Sequence, residues 1–300
     1  MLTRVLAIDG GGIRGYFSAH VLLRIQQEFD VRFDKAFDLI CGTSTGSIIA
    51  AALATEYPLE EVKKLYENLG KHIFRKVSGS FGGSLRARYD IEGLRSELNK
   101  TFGTRTLSET ATRLLIPATD IGNGQVHVFK SSYSDDFVRD KNVRIAEAVL
   151  ASCAAPTYFA PVYVDPYLLA DGGLWANNPA MVGYVEALTK LGAQPGDVRM
   201  ISVGMGTGEK YFPVREKDRL WGVFTGWGVS GLIDVIMNLQ SKNADNMLQL
   251  MLPKEQYLRI NFSRDQKLSL DDIDSLSELQ SIADRLFSEK ASEIRRLLGS

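Results

Sequence analysis

Histidine is scarce in this chain, with three in 300 residues (His20, His72 and His127), and cysteine is scarcer, with two (Cys41 and Cys153). So few of either leave little from which to build a metal site, and two cysteines cannot form the disulfide framework of a secreted scaffold. Both cysteines fall in apolar stretches and read as buried free thiols, as in a reducing cytosol. Neither sign of charge dominates: 35 basic against 36 acidic side chains give a net charge of −1. That excludes the electrostatic footprint of a protein that binds a nucleic-acid polymer. No apolar run approaches the ~20 residues of a membrane span. The first apolar strand, Arg4 to Ile8, begins so near Met1 that no signal peptide fits before it. The expectation is a cytoplasmic protein, or one peripheral at the inner membrane surface, with no metal, no cofactor and no internal repeat.

What is present is a large apolar fraction, 45% of the residues, enough for one sizeable core with or without an appendage. Strands are predicted over 4–8, 37–41, 113–119, 125–130, 161–170 and 199–203. Helices are predicted over 15–29, 47–55, 59–69, 91–101, 144–152 and 179–191, with Asn178 and Pro179 suited to open the last of these. Leu276, Leu279, Ile282, Leu286, Ile294 and Leu297 fall at helical spacing, so a C-terminal helix is expected over 276–298. Strands alternating with helices imply an α/β fold of three αβα layers, with a mainly parallel central sheet.

Three short segments carry glycine in recognisable spacing. Asp9-Gly10-Gly11-Gly12-Ile13-Arg14-Gly15 follows the first strand and opens a helix. Its Gly10, Gly12 and Gly15 formally fit a dinucleotide fingerprint. Against that, Asp9 would put a carboxylate beside the pyrophosphate, and the next strand ends in Cys41-Gly42 without an acid for a ribose. A sugar-kinase-like phosphate loop usually has Thr where this chain has Ile13-Arg14. Backbone amides at a helix start also stabilise a developing oxyanion. The second segment, Gly42-Thr43-Ser44-Thr45-Gly46, sits between an apolar strand and the close-packed helix that starts at Ser47. That is the setting of a nucleophile elbow, although a turn that merely caps the helix has the same composition.

Ser44 would need a base, and the histidines are poorly placed to supply one. His20 shares a helix face with Tyr16, Arg24 and Gln27 and reads as solvated. His127 alternates with Val126 and Val128 and projects from a strand. The third glycine segment, Asp171-Gly172-Gly173, offers a carboxylate at the end of the apolar run Tyr167 to Ala170. Burial there would raise its pKa and its basicity; the competing reading is an ordinary Asp-Gly turn.

With these motifs in order, and with Ala154-Ala155-Pro156-Thr157-Tyr158-Phe159 between the second and third, residues 4–206 resemble the patatin-like phospholipases. These are serine acyl hydrolases that work with a Ser–Asp dyad. The resemblance implies the patatin-like fold, with Ser44 as nucleophile and Asp171 as base. Gly11, Gly12 and Arg14 would form the oxyanion hole, and Gly10, Gly15, Gly42, Gly46, Gly172 and Gly173 would support the motifs. The Asp-Gly-Gly here replaces the Asp-Gly-Ala of many members. Residues 1–206 would be the catalytic core, and 207–300 a helical lid or C-terminal extension packed on the same domain.

Two stretches depart from the compact pattern. Residues 70–89 carry Lys71, Arg75, Lys76, Arg86 and Arg88 and no acid, so they read either as a solvated loop or as a flap meeting anionic phosphate. Residues 220–252, with Trp221, Phe224, Trp227 and three methionines, read either as core or as a lipid-facing lid. Two functions follow: hydrolysis of fatty-acyl esters of phospholipids at a membrane surface, or a signalling or lipid-binding relative in which hydrolysis is secondary. Some bacterial members that resemble this chain are antiviral effectors switched on by cyclic oligonucleotides. A cyclic-nucleotide activator, contacted by Arg75, Lys76, Arg86 and Arg88, and a homo-oligomer therefore belong to the expectation.

Overall fold

The computed structural model describes residues 2–72, 77–80, 83, 85–208, 218, 220–222, 226, 229–264 and 275–299. Strand β1 (Thr3–Ile8) leads through a short 3-10 turn at Gly12–Arg14 into α1 (Gly15–Phe29). Then come α2 (Phe33–Ala36), β2 (Leu39–Gly42), α3 (Thr45–Ala54), α4 (Leu59–His72) and α5 (Glu92–Phe102). The middle of the chain forms β3 (Arg113–Asp120), β4 (Gln125–Lys130), α6 (Ile145–Ser152), β5 (Val162–Val164) and β6 (Tyr167–Asp171). After it come α7 (Gly173–Ala176), α8 (Ala180–Thr189), β7 (Val198–Val203), β8 (Thr207–Gly208) and α9 (Val229–Met251). The chain closes with β9 (Tyr257–Ile260), β10 (Ser263–Arg264) and α10 (Leu276–Leu298).

Eight strands form one mixed sheet in the order β5-β6-β3-β2-β1-β7-β9, with β4 paired to β3. The run β3-β2-β1-β7-β9 is parallel, and β4, β5 and β6 are joined antiparallel. Side-chain alternation along β1 separates two apolar layers. Leu6 and Ile8 pack with α1, α3, α6 and α10, whereas Val5 and Ala7 pack with α8 and α9. The α/β fold of three layers is thus in place.

Where the structure departs from the expected elements, the causes are local. The strand expected over 161–170 is the hairpin β5–β6, because Pro166 cannot continue a ladder. Parallel β9, beside β7, was not expected from the sequence. His20 is buried rather than solvated: α10 covers that face of α1, and His20 Nε2 lies 3.1 Å from Asp284 Oδ1.

Branching at β3 sets up the site. Leu115 of β3 pairs with Cys41 of β2 on one edge and with Lys130 of β4 on the other, while Ala118 pairs with Asp171 of β6 and His127 of β4. β2 and β6 therefore share one edge of β3, running toward each other, and their C-terminal ends converge. Residues that close these strands meet although 127 positions separate Ser44 from Asp171.

Candidate active site

β2 delivers the chain into the turn at Ser44, whose backbone is held at φ 52° and ψ −132°, a region L-residues avoid. Two contacts oppose its relaxation. The Ser44 N–H donates to Ser152 Oγ at 2.9 Å, and Ser152 Oγ donates in turn to Pro117 O at 2.6 Å. Gly42 and Gly46 are where strand and helix touch. A Cβ on Gly46 would lie 2.2 Å from Asp9 O, and one on Gly42 would lie 2.4 Å from Gly46 O. Both obstacles are backbone and cannot move aside.

Ser44 Oγ donates to Asp171 Oδ2 at 2.7 Å. The other carboxylate oxygen, Oδ1, accepts the Gly173 N–H at 2.6 Å. Asp171 has no exposed surface and Ser44 only 6%. Burial pushes the Asp171 carboxyl up to about 7, even though the hydrogen bonds from Ser44 and Gly173 pull the other way. A carboxylate that titrates near neutrality is basic enough to take a proton from a hydroxyl at its contact distance.

The glycine loop lies against this pair. A Cβ on Gly10 would come within 2.9 Å of Ser44 Cβ. The Asp9 and Gly10 amides are engaged, by Val203 O at 3.0 Å and Asn177 O at 2.9 Å. Among the described residues the Gly11 and Gly12 amides have no protein acceptor, and Gly12 adopts φ 63°, which suits glycine. The Arg14 side chain braces the loop from outside, with Nε donating to Gly11 O at 3.0 Å and Nη1 to Gly206 O at 2.9 Å. Gly15 leaves room for the Tyr66 ring, whose hydroxyl donates to Thr45 O at 2.7 Å. Gly172 sits against Pro117 O, and Gly173 sits against Met237 of α9, whose Cε would be 2.4 Å from a Cβ there. The methyl of an Asp-Gly-Ala sequence would compete with Met237 for that space.

His20 and His127 stand elsewhere. His127 is buried between the rings of Phe129 and Tyr167, and burial pushes its pKa down to about 4. No hydrogen bond joins it to Asp171 or Ser44. Arg86 is exposed, and the Arg88 guanidinium lies 4.9 Å from the Tyr158 ring centroid. Arg75, Lys76, Phe224 and Trp227 lie outside the described residues. Sequence reasoning missed Ser152, Asn177, Ser241 and Arg259. Asn177 had a usable signal in the polar pair Asn177-Asn178 just beyond Asp171-Gly172-Gly173, and Asn178 Oδ1 does accept the Ala180 N–H at 2.9 Å to open α8.

A buried hydroxyl–carboxylate pair beside a glycine loop with unengaged backbone amides holds the parts that acyl transfer needs, and the molecule falls in the class of acyl hydrolases. More narrowly, the chain belongs to the patatin-like phospholipase family, whose model matches residues 6–184. It is 34% identical over 256 residues to the cGAMP-activated phospholipase of Pseudomonas aeruginosa, which covers 83% of this chain and 75% of that relative. A cGAMP-activated phospholipase of Escherichia coli is 31% identical over 291 residues, 90% of this chain and 80% of its own. A cUMP-AMP-activated phospholipase, also of Escherichia coli, is 28% identical over 317 residues, 99% and 94% of the two chains. The chain is a lipid acyl hydrolase. Among the described residues no helix is long and apolar enough to cross a membrane.

Proposed function

We propose that Ser44 is the nucleophile and Asp171 the general base of phospholipid ester hydrolysis. The observation that carries this reading is the 2.7 Å contact from Ser44 Oγ to a carboxylate raised to about 7. Asp171 Oδ2 accepts the hydroxyl proton as Oγ attacks the ester carbonyl carbon. The carbonyl oxygen becomes an oxyanion held by the Gly11 and Gly12 amides. Collapse breaks the ester bond, the leaving alcohol takes the proton from Asp171, and the acyl group stays on Ser44. A water then attacks the acyl-enzyme, giving its proton to Asp171, and free fatty acid leaves as Oγ regains a proton. Ser44→Ala tests the scheme. It should fold, fail to react with a serine-directed fluorophosphonate and lose ester hydrolysis; wild-type turnover in that variant would refute it.

A second reading concerns control, and the names of the relatives, phospholipases activated by cyclic dinucleotides, favour it. In this reading α9, within the 207–300 stretch expected as lid and extension, is the lid, whereas β9 of that stretch belongs to the central sheet; the basic stretch around Arg86 and Arg88 meets the nucleotide phosphates, and the protein serves as a switched antiviral effector. Outward apolar side chains of α9 (Ile236, Leu239, Met247, Leu250 and Met251) would face the lipid surface. Adding cGAMP or cUMP-AMP to enzyme and phospholipid vesicles should raise fatty-acid release. Equal rates with and without nucleotide would remove the switch and leave the hydrolase.

A further inference from the structure

Asp9, the first residue of the glycine loop, has a buried carboxyl group. Its partner comes from the far end of the chain. Arg259 Nη1 donates to Asp9 Oδ1 at 2.7 Å and Nη2 to Oδ2 at 2.5 Å, a two-pronged contact with both side chains under a tenth exposed. Ala7, Ser202 and Arg259 lie in one row across β1, β7 and β9. The guanidinium therefore emerges on the face of Ala7 and meets the carboxylate two residues farther along. Nη1 also donates to Ser202 Oγ at 2.7 Å. Ser241 of α9 completes the cluster, donating to Asp9 Oδ2 at 3.2 Å and accepting from Asn177 Nδ2 at 2.9 Å. Asn177 in turn accepts the Gly10 N–H through its carbonyl.

A buried ion pair gives little net stability compared with an apolar pair of the same shape, so this one calls for another use. Its position supplies that use. It grips the loop one residue before Gly10, which lies against Ser44, and two before the first unengaged amide. We propose that Arg259, outside the family-matched residues 6–184, is a positioning residue for ester hydrolysis that acts through Asp9 to aim the Gly11 and Gly12 amides at the carbonyl oxygen. This rests on the reading of those amides as oxyanion donors. Oxyanion contacts strengthen in the transition state, so loss of aim falls on kcat and leaves KM nearly alone.

The test uses the full chain and a short-chain p-nitrophenyl ester. Arg259→Gln alone would strand a buried carboxylate, so the informative variant is Asp9→Asn with Arg259→Gln, which leaves no unpaired charge, beside Arg259→Lys. For the folded double variant, kcat should fall on the order of 10- to 10²-fold with KM within about threefold. The acidic limb of its pH profile should stay in place, since Asp171 is untouched, and Arg259→Lys should keep more of kcat than the double variant. Wild-type kcat in the folded double variant overturns the proposal. So does failure of both variants to fold, which would make the pair a stability element only. Ser44→Ala run beside them separates the two claims: if it hydrolyses the ester, the dyad reading fails, whatever the Arg259 variants do.

Discussion

At the scale of single residues, the proposed chemistry depends on one carboxylate kept out of water. As the proposed base, Asp171 must be ionised to accept the Ser44 proton, and burial holds its pKa at about 7. Therefore kcat/KM on a short-chain ester should climb with pH up to about 7 and level off above it; a profile flat from pH 5 to 8 would assign the base elsewhere. Asp171→Asn keeps the shape and removes the acceptor, so activity should fall by about 10² or more. The same burial opposes stability. The folded protein holds this proton to about 7 while the unfolded chain releases it near 4. Folded molecules bind more protons in that window, so the stability of the wild type drops as pH rises through it. Asp171→Asn should thus melt above the wild type at pH 8, with the gap closing toward pH 4; equal melting temperatures at pH 8 would contradict the assigned shift. His127, pushed down to about 4 and caged by rings, is already neutral where Asp171 titrates, and His127→Ala should leave turnover within several-fold, measured on the same ester.

At the scale of elements, the turn between β2 and α3 is held by contact with backbone that cannot give way. Gly46→Ala would place a methyl 2.2 Å from Asp9 O and 2.6 Å from Ile8 O, so the cost should reach several kcal/mol and activity should vanish. Gly196, where a Cβ meets nothing within 4 Å, is the control: Gly196→Ala should shift stability by less than about 0.5 kcal/mol. Thermal melts of the pair check both. The close approach of Gly42 to Gly46 follows from the Gly-x-Ser-x-Gly spacing, which is why strand, turn and helix were legible in sequence. At the other end of the chain α10 (Leu276–Leu298) was equally legible in its apolar spacing, but β9 was not. Tyr257–Ile260 is four residues long and contains an arginine, so nothing in its periodicity marks a central-sheet neighbour. Only the distant carboxylate of Asp9 makes that arginine intelligible. His20 misled for the same reason: its polar neighbours on α1 suggest water, but Asp284 of α10 fills the place.

At the scale of the molecule, α9 joins the site to the surface. Its inner face (Met237, Ser241, Ala244 and Leu248) is buried, as is Leu252 just beyond its end, with Met237 against Gly173 and Ser241 on Asp9. Roughly 120° round the helix axis, Ile236, Leu239, Met247, Leu250 and Met251 stand outward, Leu250 at 89% exposure and Leu239 at 59%. The sequence shows that residues 220–252 are apolar but cannot divide core from lid, because that division depends on which face α8 and the sheet cover. A helix with apolar residues on both its covered and its open sides is suited to sit between protein and lipid. Burial at roughly 25 cal/mol per Å² would drive the docking, since a net charge of −1 supplies no general attraction. Leu239→Glu with Leu250→Glu should therefore cut fatty-acid release from vesicles on the order of tenfold, because charge would replace two apolar side chains that this docking would bury in lipid. Hydrolysis of a monomeric ester by the same variant should stay near wild type, as neither side chain touches Ser44 or Asp171. Equal losses on both substrates would mean that α9 acts through the packing of Met237 and Ser241, and undiminished vesicle hydrolysis would place the lipid surface on another face of the molecule.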